Sequence, residues 1–312
     1  MYDPTKPYKK QIFELIEKTW DNPYVTIKKG IYPILKKKFN WPEVDHSDGI
    51  GTKGLYHWQK RTFKNAVLDG LAMNLNDLAL MRAIPYKLQN HIIIPEDDNE
   101  AIVEIISALS DECVKRDIAI TGGETSIQNT LQGMDIGMTV SGVVESNKPN
   151  KIRAGDVLVG FKSGGLHSNG FSKVREVFGD DIRNEFTDPT KIYIGEILEI
   201  NKDFGIHGMM HMTGGSYTKL RDIIDENIDL EINDTHQLKP QKIFQDIYKK
   251  GVSSEELYKT FNCGIGFIIS VSEKYAKEIV AKYEDTDIIG KALKGSGKIK
   301  VQSAFSDKGV IY

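Results

Sequence analysis

Helix-type and strand-type periodicities alternate along this chain in two separate runs, divided by an aperiodic polar segment from Ser146 to Asp156 that holds Pro149 and Gly155. Such a pattern demands sheets covered by helices, and demands them twice. In the first run, Ile12, Leu15, Ile16 and Trp20 share one face of a helix around Lys9 to Trp20. A second helix is predicted over Phe63 to Met81. A third follows Asn99, the expected N-cap, with Ile102, Ile105, Ile106, Leu109 and Cys113 at helical spacing. Ile118 to Ile120 reads as a short strand ending at Gly122-Gly123, and Ile136 to Val144 as another. The second run predicts strands at Val157 to Phe161, His207 to Met212 and Ile265 to Val271. Its helices are expected at Gly170 to Phe178, Lys191 to Ile200, from Tyr217, and at Ser272 to Tyr283. The class is α/β or α+β, in two domains, 1–150 and 151–312, with ample core for both.

Composition narrows the function. With 40% hydrophobic and 27% charged residues the chain is neither disordered nor fibrous. Its 41 basic and 44 acidic residues give a net charge of -3, so no electrostatic footprint of a general nucleic-acid binder exists. Lys36-Lys37-Lys38 reads as a solvated face. Cys113 and Cys263 match no metal or redox spacing, which speaks against a disulfide framework and for a reducing compartment. Met1 to Lys10 carries Asp3, two prolines and no apolar core, unlike a signal peptide. No stretch approaches the ~18 apolar residues of a membrane span. A soluble cytoplasmic protein is expected.

Several segments set glycines beside groups that suit phosphate or metal chemistry. In Asp48-Gly49-Ile50-Gly51-Thr52-Lys53, the glycine amides can approach an anion, Lys53 supplies charge and Asp48 can hold Mg²⁺. A plain turn with a surface lysine would read the same way. Asp69 and the pair Asn76-Asp77 lie about two turns apart on an apolar helix, where they need a cap, solvent or a cation. Thr121-Gly122-Gly123-Glu124-Thr125 is expected as a loop at a strand's carboxyl end, the favoured ligand position in open sheets. Gly164-Gly165-Leu166-His167-Ser168-Asn169-Gly170 leads into a helix start, where backbone amides favour phosphate and His167 can move a proton. His211-Met212-Thr213-Gly214-Gly215 and Phe261-Asn262-Cys263-Gly264-Ile265-Gly266 are binding turns or ordinary ones. Cys263 reads as a small core residue.

In order, DGIGTK at 48–53, ND at 76–77, GGET at 122–125, LHSNGFS at 166–172, HMTGG at 211–215 and FNCGIG at 261–266 resemble the aminoimidazole ribonucleotide synthetase (phosphoribosylformylglycinamidine cyclo-ligase) family of purine biosynthesis. The resemblance covers Asp48 to Val271, with a looser tail. It implies a two-domain PurM-like α/β fold in a homodimer, whose amino-terminal domains pair into a β-barrel and bind ATP near that interface. It also implies ATP-dependent ring closure of formylglycinamidine ribonucleotide with Mg²⁺, on a small phosphoribosyl substrate, with no nucleic acid and no membrane. Carried over by position, Asp48, Asp77 and Glu124 are metal ligands, and His167, Lys53 and Glu124 are catalytic. Gly49, Gly51, Thr52, Asp69, Asn76, Gly122, Gly123, Thr125, Ser168, Asn169, His211, Gly214, Gly215 and Asn262 contact ATP or substrate, as does Asp48. The chain departs from the family pattern in four places. Gly30 is the only glycine before Gly49, where relatives have a GGFG-like stretch. Arg82-Ala83-Ile84-Pro85 replaces GAEP, Asn90 stands at an acidic position, and Ser216 follows HMTGG in place of a glycine. Another ATP-using enzyme of the superfamily, or a non-catalytic nucleotide-binding homologue, are the other readings.

Overall fold

The computed structural model describes residues 8–30, 32–146 and 148–312. The reading of Met1 to Lys10 therefore falls mostly outside the described residues. Chain contacts divide into two compact units, Met1–Ser146 and Asn147–Tyr312. Each is described by itself.

Unit one runs α1 (Lys9–Glu17), β1 (Val25–Lys28), β2 (Ile34–Lys37), β3 (Glu43–Gly49), α2 (Gly54–Lys60), α3 (Phe63–Leu80), β4 (Ala83–Ile94), α4 (Asn99–Val114), β5 (Ala119–Ile127) and β6 (Asp135–Val144). Its four-stranded sheet has the order β3-β6-β4-β5; β4 and β5 are parallel, the other pairs antiparallel. Helix α3 is buried nearly all round, Asp69, Asn74 and Asn76 included. It packs on β3, β4 and β6 and against α4, which itself contacts β5. The opposite sheet face carries Ser47, Gln89, His91 and Thr139. At one end it is covered by the β1–β2 hairpin, where Val25, Tyr86, Ala119 and Val143 form a small core.

Three readings are corrected here. The N-cap of α4 is Asp98, whose carboxylate accepts from the Ala101 amide at 2.9 Å; Asn99 is the first helical residue. The strand predicted to stop at Gly122-Gly123 runs on to Ile127, so GGET lies within edge strand β5. Pairing with β4, opposite Gln89 to Ile92, overrides the local glycine signal. The third concerns Lys53. It is fully buried, with Nζ 2.8–2.9 Å from both carboxylate oxygens of equally buried Asp69. His57 Nε2 donates to Asp69 Oδ2 at 2.8 Å, and its Nδ1 pairs with the Thr62 hydroxyl at 2.8 Å. The cation that Asp69 requires is thus the lysine of the DGIGTK segment itself, and both side chains are buried.

Unit two runs β7 (Val157–Lys162), α5 (Phe171–Phe178), α6 (Ile194–Phe204), β8 (Gly208–His211), β9 (Ile228–Ile232), α7 (Lys242–Lys249), α8 (Ser254–Thr260), β10 (Ile265–Val271), α9 (Glu273–Lys282), β11 (Thr286–Lys294), β12 (Ile299–Val301) and β13 (Val310–Ile311). The helix expected from Tyr217 is a 3₁₀ stretch, Ser216–Ile223. The seven-stranded sheet has the order β13-β12-β9-β11-β7-β10-β8, and only β12 and β9 pair in parallel. Every residue of β10 is buried, which explains why its sequence is one apolar run rather than an alternation. Asp156 fastens the entry segment to the sheet edge. It accepts from the Arg153 amide, the Ser270 hydroxyl and His207 Nδ1 at 2.9–3.0 Å.

The Lys53–Asp69 pair generates a prediction. Burial would raise the Asp69 carboxyl, but the Lys53 charge and the His57 hydrogen bond hold it well below its usual range. Burial likewise pushes His57 down. Both groups bind protons more readily unfolded, so stability is complete at neutral pH. It erodes below the unfolded values of about 6.5 for His and about 3.9 for Asp as pH falls. Asp69→Ala strands a buried ammonium and is expected to cost about 3–5 kcal/mol in urea unfolding. An unchanged midpoint would mean that the pair carries no such weight.

Candidate functional site

In unit one, Asp48 stands near the end of β3 with its carboxylate exposed, accepting from the Gly49 amide at 2.7 Å. Helix α3 reaches this strand through polar groups one turn apart. Asn74 donates to the Asp48 and Gly70 carbonyls at 3.2 and 2.9 Å and pairs with His46 Nδ1 at 3.1 Å. His46 Nε2 lies 3.3 Å from Asp77 Oδ2. The Asp77 hydrogen bond is the main reason that His46 titrates above its ordinary value. Asp77 and Asp69 thus take different partners, and Asn76 is fully buried within α3. Gly51 and Thr52 form the 3₁₀ turn leading into α2. Asp135, which sequence reasoning missed, stands close enough to raise the local negative charge. Burial chiefly, and Asp48 in part, push its carboxyl up. Its only sequence signal was an acid immediately before a strand.

Two cavities open on this unit. One of about 460 Å³ is lined by Ser47, Asp48, Gln89, Asn90, His91 and Thr139. The other, about 630 Å³, lies between α1, α4 and β5 and takes in Gly123, Glu124, Thr125 and the apolar faces of Ile12, Phe13 and Ile106. Asn90 lines both, so the departure at that position falls inside the candidate site. Gly122 belongs to the same strand. Among the described residues, no three His, Cys, Asp or Glu side chains gather as a metal cluster.

In unit two, three segments far apart in sequence converge on the β7-β10-β8 end of the sheet. Loop 164–170 follows β7, turn 212–216 follows β8, and turn 261–264 precedes β10. His167 is 2% exposed; its Nδ1 lies 3.0 Å from the Met212 carbonyl oxygen. The His211 ring sits 5.5 Å from that of His167 and stacks on Phe267. Asn262 has a structural task rather than a free side chain: it donates to Gly165 O at 2.8 Å and accepts from the Gly264 amide at 2.9 Å. Ser216 bonds Phe261 O at 2.8 Å, joining the other two turns. Gly215 caps that turn with φ +80°, while Gly214 leaves room for Asn169, whose Nδ2 would lie 3.0 Å from an added Cβ. Ser168 Oγ and Asn169 Oδ1 are buried with no hydrogen-bond partner, at a cost of about 1–3 kcal/mol each unless a ligand supplies one. Burial drives the Cys263 thiol up, so it is inert core as expected. A larger cavity of about 830 Å³, beside α9 and β12, touches none of these segments.

With a four-stranded sheet unit followed by a second, seven-stranded unit, the chain belongs to the AIR synthase related family. Its N-terminal-domain model matches residues 44–144 and its C-terminal-domain model residues 153–302. Among named relatives, the phosphoribosylformylglycinamidine cyclo-ligase of Saccharolobus solfataricus is 35% identical over 93% of this chain and 90% of its own. That of Pyrococcus furiosus is 33% identical over 84% and 82%. Solved structures share the mixed α/β fold. Hydrogenase maturation protein HypE in complex with ATP superposes with a TM-score of 0.69 at 15% identity, covering 99% of this chain and 95% of that one. Thiamine-monophosphate kinase from Stenotrophomonas maltophilia gives 0.63 at 16%, covering 94% and 96%. Among the described residues, no helix is long and apolar enough to cross a membrane.

Gly266 tests how His167 is held. A Cβ there would lie 1.9 Å from the Tyr193 hydroxyl and 3.1 Å from His167 Cε1. Gly266→Ala is expected to lose about 1–3 kcal/mol in urea unfolding. Gly195→Ala, in helix α6 with nothing within 4 Å, should be neutral or stabilising. Equal midpoints for the two variants would contradict the packing described.

Proposed function

We propose that this chain uses ATP to close the imidazole ring of aminoimidazole ribonucleotide on formylglycinamidine ribonucleotide. The observation that carries the reading is the convergence of His167, Ser168, Asn169 and the 211–216 turn, the family's own motifs, on one buried surface. Phosphorylation of the formyl oxygen makes that carbon electrophilic. An amidine-side nitrogen attacks it, loses a proton, and phosphate leaves. His167 serves as the proton carrier, worth roughly 10²- to 10⁴-fold in rate.

Unit one handles the nucleotide in this reading. Its donor set fits Mg²⁺, which keeps most of its waters and is held by one or two carboxylates together with phosphate oxygens. Asp48 and Glu124, both exposed, are the ligands assigned; Asp77 acts through His46. When bound, the ion would supply charge neutralisation for phosphoryl transfer. Lys53 positions the turn that carries Gly49, Gly51 and Thr52. A second copy of the chain covers the polar face of the four-stranded sheet, giving a cytoplasmic homodimer. One observation favours a different substrate within the superfamily, namely neutral Asn90 lining both cavities.

Purified protein with Mg·ATP and formylglycinamidine ribonucleotide is expected to form ADP and aminoimidazole ribonucleotide in equal amounts. ADP formation indifferent to that substrate would reject the assignment. His167→Gln should lower kcat by roughly 10²- to 10⁴-fold with little change in KM. Asp48→Asn should weaken Mg·ATP binding about 10-fold or more by calorimetry, as expected when a charge-assisted contact is lost. Light scattering at micromolar concentration should give the mass of a dimer, and a monomer mass would exclude that part.

A further inference from the structure

The glycines of the DGIGTK turn and its neighbour Gly54 do not all serve one purpose. Segment 134–136 runs along the turn so closely that an added Cβ would lie 2.9 Å from Ile136 O at Gly49 and 1.8 Å from Met134 O at Gly54. These two glycines admit the protein's own backbone. Gly51, with φ +55° and nothing within 4 Å of an added Cβ, has open space beside it. The amides of the turn are matched to acceptors in the same way. Gly49 N–H donates to the Asp48 carboxylate at 2.7 Å, Ile50 N–H to Ile136 O at 3.2 Å, and Gly51 N–H to the carboxylate of Asp135. Asp135 opens β6, is half-buried, and also accepts from the Ile136 amide at 2.9 Å. Two of the three acceptors are therefore carboxylates. Burial first, and the Asp48 charge as well, push the Asp135 carboxyl up, so the two acids lie within electrostatic reach of each other. Lys53, the cation of the motif, is engaged by Asp69. A phosphate approaching this turn thus meets carboxylate charge where the bare motif would offer N–H groups.

We propose that Asp135 is a positioning residue that makes this turn accept phosphate only together with a divalent cation. By taking the Gly51 amide it fixes the turn. Its charge, added to that of Asp48, excludes a metal-free phosphate. Phosphate oxygens and carboxylates repel each other directly, whereas a cation between them satisfies both, as is usual for Mg²⁺ held by one or two carboxylates. Naming the phosphate compound as ATP rests on the cyclo-ligase reading; the role of Asp135 rests on the hydrogen bonds of the turn.

Calorimetry on the full-length protein with ATP, once with Mg²⁺ and once in EDTA, tests the assignment. Wild type should bind Mg·ATP about 100-fold more tightly than metal-free ATP. Equal or tighter metal-free binding overturns the proposal without recourse to any variant. Asp135→Asn keeps an oxygen for the Gly51 amide and removes the charge. It should weaken Mg·ATP and tighten metal-free ATP, so that the preference for the metal complex falls by about 10-fold or more. A purely structural role would weaken both forms alike, and an unchanged ratio in Asp135→Asn overturns the proposal. Asp135→Glu restores the charge and should hold the ratio within about 3-fold of wild type; loss of the preference there, as in Asp135→Asn, counts against the role of charge. Ring closure missing from a wild type that shows the preference would reject the cyclo-ligase reading alone. A ratio unmoved by Asp135→Asn, in a wild type that closes the ring, would reject the role of Asp135 alone. ATP bound in neither form would reject both.

Discussion

The geometry of unit one depends on a buried ion pair. Lys53 and Asp69, both without solvent exposure, meet at 2.8 Å, and His57 completes the carboxylate's hydrogen bonding. Desolvating two charges costs about as much as their attraction returns, so such a pair contributes little net stability. Its effect is positional. Lys53 ends the turn that follows Asp48, and Asp69 sits on α3, the helix that backs the sheet. Joining them fixes the DGIGT backbone on the sheet and leaves only one register of α3 that satisfies both charges. From that register Asn74 reaches the Asp48 carbonyl and Asp77 reaches His46.

Unit two solves the same problem without charges. Its three converging turns are joined by side chain to backbone hydrogen bonds from Asn262 and Ser216 and by the packing of aromatic rings around Phe267. Buried neutral hydrogen bonds of this kind are nearly neutral when made and expensive when broken, so they favour one arrangement of the loops. Among the buried polar atoms without a hydrogen-bond partner, those of Ser168 and Asn169 directly follow His167 in the same loop.

Much of this was legible in the linear sequence. The limits of α3, β6, β7, β10 and α9 fall within one residue of their periodicity, because burial on one or both faces imposes that periodicity directly. The order of the glycine-bearing motifs pointed to the family that the comparisons establish. Strand β4, by contrast, carries Pro85, Lys87, Gln89 and His91 among its apolar residues, so no sequence rule picked out its full length. Strand β5 was cut short by its glycines, and the N-cap of α4 fell one residue early because Asp98 and Asn99 are both good caps.

The sequence by itself determined which groups are present and which elements carry them: two α/β units, their apolar faces, and polar motifs set at element ends. Tertiary structure alone decided which of those groups face one another. Lysine and aspartate sixteen residues apart could each have met a ligand; folding α2 against α3 turned them inward to each other. His167 could have carried its proton on either nitrogen until β8 brought the Met212 carbonyl to Nδ1 across forty-five residues of chain. Periodicity reports burial, which is a local average, whereas a hydrogen bond or ion pair requires two particular atoms to arrive within about 3 Å, and only the packed chain fixes that.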